Sequence, residues 1–201
     1  GGAGYDTLRM SGGAALNLTT ISNAGAMGLE ENSRIESIER IDLATDTAAN
    51  KLTLEAKDVK DMAGFNLFRT GSVSADGKTW TNVTGTALSA TTKFHQLVVD
   101  GGNTDSVVLN TSVGIWASAG TVSNGTNTYN VYQNDATDTQ VLVQSGVGVA
   151  YSAPQLAVTN PGDNGYLMAV GNNITLAFDQ AVVKGTGTIQ LFNANGTLVE
   201  S

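Results

Sequence analysis

The chain has 201 residues, no cysteine, and only 14% charged residues, with a formal net charge of −8. That balance repels phosphate and argues against a nucleic-acid partner. The missing thiols exclude zinc fingers, disulfide staples and cysteine nucleophiles, and no apolar run reaches the ~18 residues of a membrane-spanning helix. Polarity comes instead from Thr, Asn, Ser and 24 Gly, residue types that suit turns and pleated surfaces better than helices.

In chain order, residues 7–10 and 15–21 alternate apolar and polar, the period of half-buried strands. A Gly- and Asn-rich loop follows through Asn32, and 35–43 reads as a turn feeding a strand. Lys51-Leu52-Thr53-Leu54 alternates again. Ala56, Val59 and Met62, three apart with Gly64 as a C-terminal cap, predict one short helix. From Phe65 onward the pattern is strand and turn. Asp76-Gly77 marks a hairpin before Trp80; strands are expected over 94–99, 107–109, 114–116, 120–122, 129–132 and 140–144, with a turn at Asn124-Gly125. Pro154 marks a change of texture. Strand-like runs at 155–158, 174–178 and 188–192, the turn Asn160-Pro161-Gly162-Asp163 and the hairpin Asn195-Gly196 read as half of a small β-sandwich.

The fold class expected is therefore all-β. An irregular β-sandwich or solenoid-like β domain over residues 1–152, with at most one short helix, is followed by a partial immunoglobulin-like β-sandwich over 153–201. The opening Gly1-Gly2-Ala3-Gly4, without Met or leader, and the stop just after a strand-like run suggest a piece of something longer.

Two glycine-bearing acidic stretches bear on chemistry. Gly1-Gly2-Ala3-Gly4-Tyr5-Asp6-Thr7-Leu8-Arg9 fits the repeats-in-toxin nonapeptide. In that pattern glycines turn carbonyls inward, Asp6 offers a hard anionic oxygen, and Leu8 packs into the core. Calcium needs roughly six to eight oxygens, so one copy cannot close a site, and a simple glycine turn is the other reading. Asp100-Gly101-Gly102-Asn103-Thr104-Asp105 places two carboxylates and an amide around two glycines. It suits calcium through Asp100, Asn103 and Asp105, or else a turn bonding its own backbone. Asp135 with Asp138, and Asp42 with Asp46, are weaker pairs.

Catalysis finds little support. His95 is the single histidine and lies among apolar neighbours, where a structural or an exposed residue is expected. There is no Gly-x-Ser-x-Gly elbow and no phosphate loop. Glu30-Glu31 and Glu36 with Glu39 read as surface charge rather than a glycosidase pair. Trp80, Trp116, Tyr129 and Tyr132 are expected in the core rather than on a sugar- or peptide-binding surface.

Several stretches taken together resemble a module of giant calcium-dependent bacterial adhesins and biofilm-associated proteins of repeats-in-toxin type. They are Gly4 to Leu8, Ile38 to Leu43, Lys51 to Val59, Val99 to Val107, Gly120 to Val122, Tyr129 to Tyr132 and Val141 to Val143. Residues 160–163, 173–182 and 187–191 resemble the bacterial immunoglobulin-like repeats of such proteins, with Asp179-Gln180 in place of the usual Ser-Glu. The resemblance implies a non-enzymatic, calcium-dependent adhesion module, secreted or displayed on the bacterial cell surface. It would bind a peptide or glycan on a host or neighbouring cell and contact adjacent domains of its own chain. The alternative is a fibre spacer stiffened by calcium. Some related modules bind free peptide C-termini through calcium, which directs attention to the Asp100–Asp105 loop. The Ser72–Thr92 insertion departs from the family pattern and reads as a recognition hairpin or a decoration.

Overall fold

The computed structural model describes residues 4–21, 35–89, 93–152, 156–160, 173–178, 191–192 and 195–200, together with 182, 186, 188 and 190. Strand is the prevailing regular structure of the described chain, which has one α-helix and several sheets.

The organising feature is a parallel roll. Strands β1 (Thr7–Arg9), β3 (Arg40–Asp42), β6 (His95–Asp100) and β10 (Thr139–Gln144) stack in parallel. Strands β2 (Ala15–Asn17), β4 (Lys51–Leu54), β7 (Ser106–Leu109) and β11 (Gly148–Tyr151) form a second parallel stack. The chain passes from the first stack to the second four times, so each coil contributes one strand to each sheet. Of the two architectures left open by the sequence, this is the solenoid-like one.

The alternating apolar residues explain the stacking. Leu8, Ile41, Val99 and Val143 form one column in register across the first sheet; Leu16, Leu52, Val107 and Val149 form another across the second. Both columns enter one core with Leu54, Leu97, Leu109 and Val141. Strands β6 and β10 are buried on both faces, as parallel strands covered on both sides must be.

Two insertions interrupt the coils. Between β4 and β6 come helix α1 (Ala56–Met62) and strand β5 (Thr81–Gly85); between β7 and β10 come β8 (Ala117–Ser123) and β9 (Thr128–Asn134). These added strands extend the first sheet beyond β10 in the order β9, β8, β5. A second core lies on that sheet's outer face, where Phe68, Trp80 and Leu88 pack on Val98, Val122, Tyr129, Val131 and Leu142. Trp80 is fully buried, so the described part of the Ser72–Thr92 insertion roofs this core. Residues 90–92 lie outside the described residues.

Local readings differ in three places. The run 15–21 stops being strand at Asn17, whose side chain accepts the Thr19 N–H at 3.2 Å and starts a 3-10 turn over Leu18–Thr20. Helix α1 begins on a reciprocal Glu55–Asp58 capping box and ends at Ala63 in extended geometry. Gly64 is thus not its left-handed cap; a Cβ there would lie 2.8 Å from Leu67. Residues 114–116 are not strand, because the buried Trp116 turns its indole N–H onto the Asn110 carbonyl at 2.9 Å. The hairpins at Asp76-Gly77 and Asn124-Gly125 form as expected, with Gly77 at φ 74° and Gly125 at φ 84°.

Toward the C-terminus, β12 (Leu156–Asn160) pairs antiparallel with β13 (Thr175–Phe178), and β14 (Leu191–Phe192) with β15 (Leu198–Glu200). Pro154, Pro161-Gly162-Asp163 and Asp179-Gln180 lie outside the described residues.

Candidate functional site

The six residues proposed for calcium fall in three separate places. Asp6 directly precedes β1; Asp100, Asn103 and Asp105 occupy the turn from β6 to β7; Asp135 and Asp138 occupy the turn from β9 to β10. Strands lie about 4.8 Å apart and rise about 3.3 Å per residue. Asp6 is therefore three strands from β10, and the Asp100 turn sits at the far end of β6 from Asp138. Among the described residues, no three His, Cys, Asp or Glu converge as metal ligands.

In the β6–β7 turn each carboxylate oxygen already meets a protein donor. Asp100 accepts Tyr129 OH on Oδ1 at 2.7 Å and Arg40 Nε on Oδ2. Burial raises the Asp100 carboxyl above its usual range, with Tyr129 and Arg40 opposing. Asp105 accepts Asn50 N–H on Oδ1 at 2.9 Å and Gly102 N–H on Oδ2 at 2.7 Å. The guanidinium beside Asp100 stands where a cation's charge would be redundant. Asn103 is exposed at the tip. This turn fits a structural staple better than a calcium ligand set.

The staple repeats from coil to coil. Asn50, fully buried just before β4, accepts Ala14 N–H from the first coil at 2.9 Å. Its amide donates to Leu43 O at 3.1 Å and Asp46 Oδ1 at 3.2 Å. Asp46 in turn accepts Gly12 N–H at 2.5 Å. Asp42 accepts Ala44 N–H at 3.0 Å and pairs with Arg9 at 3.3 Å. Sequence reasoning missed Asn50. Its only signal was an amide placed directly before an alternating strand.

Asp6 is different. Its backbone N–H donates to Glu39 Oε2 at 2.7 Å, and its carbonyl accepts the N–H groups of Glu39 and Arg40. Thr7 pairs with Arg40, so Asp6 and Glu39 hold the same position in adjacent coils. Asp6 Oδ2 is buried with no hydrogen-bond partner. Burial raises the Glu39 carboxyl, and the Asp6 charge adds to that shift. A hard cation would satisfy the orphaned oxygen. These two residues supply fewer oxygens than the roughly six calcium requires, and Gly1 to Ala3 lie outside the described residues.

The remaining candidates are structural or exposed. Asp135 accepts the Gln133 amide and Asp138 adopts φ 54°, both exposed in their turn. His95 is buried, with Nδ1 2.9 Å from Ala63 O and its ring edge-on to Phe65 at 4.8 Å. Burial lowers its proton affinity. Trp80, Trp116 and Tyr129 are core residues and Tyr132 is partly buried against the core. Glu30-Glu31 lies outside the described residues. No family model, curated protein or solved structure matches the chain.

Proposed function

We propose that the chain is a calcium-dependent adhesion module of a large secreted bacterial surface protein, non-enzymatic, and carrying part of an immunoglobulin-like repeat in residues 153–201. The observation that carries this reading is the stacking of Asp6 on Glu39 at the same position of adjacent parallel coils, with Asp6 Oδ2 buried and unpartnered. Two carboxylates stacked at the starts of adjacent parallel coils are a geometry in which turns can share a hard cation, although the third and fourth coils carry Leu97 and Val141 at that position. Calcium bound there would supply charge neutralisation and rigidity, and Asp6 and Glu39 would hold it. The ligand on the opposing surface would be a peptide or glycan.

A ligand that binds only the folded form raises the melting temperature as its concentration grows. The full chain should melt higher in millimolar calcium than in chelator, and Asp6→Asn should shrink that difference. Equal melting temperatures in both conditions would remove the metal from the proposal. Retention on peptide and glycan arrays tests adhesion itself.

A second reading, a fibre spacer, is favoured by the staples through Asn50 and Asp105, which tie coils together without any ion. A chain that is rigid, stable in chelator and retained by no array ligand fits that reading.

A further inference from the structure

On the outer face of the first sheet lies a cavity of about 300 Å³ lined by Thr86, Ala87, Phe94, Ala119 and Gln133. Its walls are fixed independently of any ligand. Asn82 grips the segment following β5 through two bonds to Leu88, donating to its carbonyl at 2.9 Å and accepting its N–H at 3.0 Å. Ala87 O accepts Gln140 Nε2 at 3.0 Å.

Gln133 ends a ladder of amides running across three strands. Gln96 Nε2 donates to Gln140 Oε1 at 2.9 Å, and Gln140 Nε2 donates to Gln133 Oε1 at 2.8 Å. Gln133 then donates to Asp135. These bonds orient the Gln133 amide while leaving it one N–H and one lone pair for another partner.

The wall at Ala119 is a β-bulge: pairing between β8 and β9 shifts register between Ser118 and Gly120. A second shift, between Asn82 and Thr84 on β5, lies opposite Val122 and Thr121. Bulges re-aim backbone and side chains, and they concentrate beside functional sites. Here the bulged Ala119 lines the cavity.

We propose that this cavity binds a neutral, hydroxyl-rich ligand, one sugar residue of a surface glycan. The proposal rests on the adhesion reading above and names its ligand class. Among the described residues, none that lines the cavity is charged, so an ionic ligand would lose hydration without a counter-charge. A peptide C-terminus is disfavoured for that reason. The Gln133 amide and Thr86 hydroxyl match alcohol groups, while Ala119 and the exposed edges of the buried Phe94 and Ala87 offer a small apolar contact. The volume stands at the lower end of ligand pockets, about 300–1,000 Å³, which suits a single ring rather than a chain.

The test titrates the full chain with glucose, galactose, mannose, fucose, N-acetylglucosamine and tri-alanine, read by saturation-transfer NMR. Thr86→Val removes the hydroxyl at constant shape, and Thr86→Phe fills the cavity from an exposed position. At least one sugar should bind, roughly tenfold more weakly to Thr86→Val for one lost hydrogen bond, and not at all to Thr86→Phe, at unchanged melting temperature. The proposal is overturned by a folded chain that binds none of the sugars, by binding indifferent to Thr86→Phe, or by tri-alanine binding alone. Retention on glycan-bearing cells separates the two readings. Sugar binding without retention sinks adhesion and keeps the pocket; retention unaffected by Thr86→Phe does the reverse.

Discussion

Asp105 and Asn50 occupy matching positions in adjacent coils, one step before β7 and β4, and the Asp105 carboxylate accepts the Asn50 backbone N–H at 2.9 Å. Asn50 passes the same kind of bond to Ala14 in the coil before. Turn N–H groups thus gain acceptors from the next coil's side chain, and the roll holds its register at its turns as well as at its strands.

Asp105→Ala removes the carboxylate acceptor of the buried Asn50 N–H, which keeps a second bond to Ala48 O at 3.1 Å, and of the part-buried Gly102 N–H. A fully orphaned buried group costs about 1–3 kcal/mol; with Asn50 still bonded to Ala48 and Gly102 partly open to water, the loss should be about 1–2 kcal/mol in urea unfolding. Asp105→Asn retains one acceptor oxygen and should lose about half as much. Equal stability of wild type and Asp105→Ala would show that the staple contributes nothing.

Gln140→Leu tests the buried ladder. The substitution leaves Ala87 O and Gln133 Oε1 without their donor and removes the acceptor of Gln96 Nε2. A loss of about 3 kcal/mol or more is expected. Gln96→Leu in the same background should then cost less than it does alone, because the partners share one network. Strict additivity would argue against a coupled ladder.

The strands were legible because alternation is local: Lys51 to Leu54 and Gln140 to Gln144 announce themselves within a few residues. The four-coil repeat was not, because insertions of unequal length separate Leu8, Ile41, Val99 and Val143, and the columns align only after those insertions fold away. The acidic turn was legible as a turn but not in its chemistry. Spacing within Asp100 to Asp105 shows carboxylates near glycines. It cannot show that Arg40, 60 residues away, and Tyr129, 29 residues away, arrive to occupy one of them. The stacking of Asp6 on Glu39 was hidden for the same reason, since its partners lie 33 residues apart.

Gly85 and Gly120 pair across β5 and β8 with φ of 68° and 119°. A Cβ on Gly120 would overlap the Thr84 carbonyl, and one on Gly85 would overlap that of Ala119. Backbone cannot yield as a flexible side chain can. Gly120→Ala should therefore cost at least about 1–2 kcal/mol and loosen the edge strand first. Hydrogen exchange should quicken at Thr81 to Gly85 before it quickens in β6 or β10. Uniform protection would place the strain elsewhere.

Asp58 sets a pH dependence of defined sign. It is buried at the start of α1, where it accepts the Glu55 N–H at 2.8 Å. Burial, reinforced by Glu55 and Asp61 and opposed by that hydrogen bond and Lys57, pushes its carboxyl from 3.8 up to about 7. A carboxyl raised on folding binds its proton more tightly in the native state. Its contribution is fully present below the unfolded value and is lost as pH rises through about 7. Burial also raises Asp100 and Glu39, with the same sign. His95 acts oppositely: held neutral by burial, it destabilises the fold as pH falls through its unfolded value of about 6.5. Comparison with Asp58→Asn isolates the carboxyl, since Asn keeps an acceptor for Glu55 N–H without the charge. The variant should gain stability relative to wild type at pH about 8, and the gain should fade toward pH about 5. A difference that stays constant across that window would mean Asp58 titrates normally.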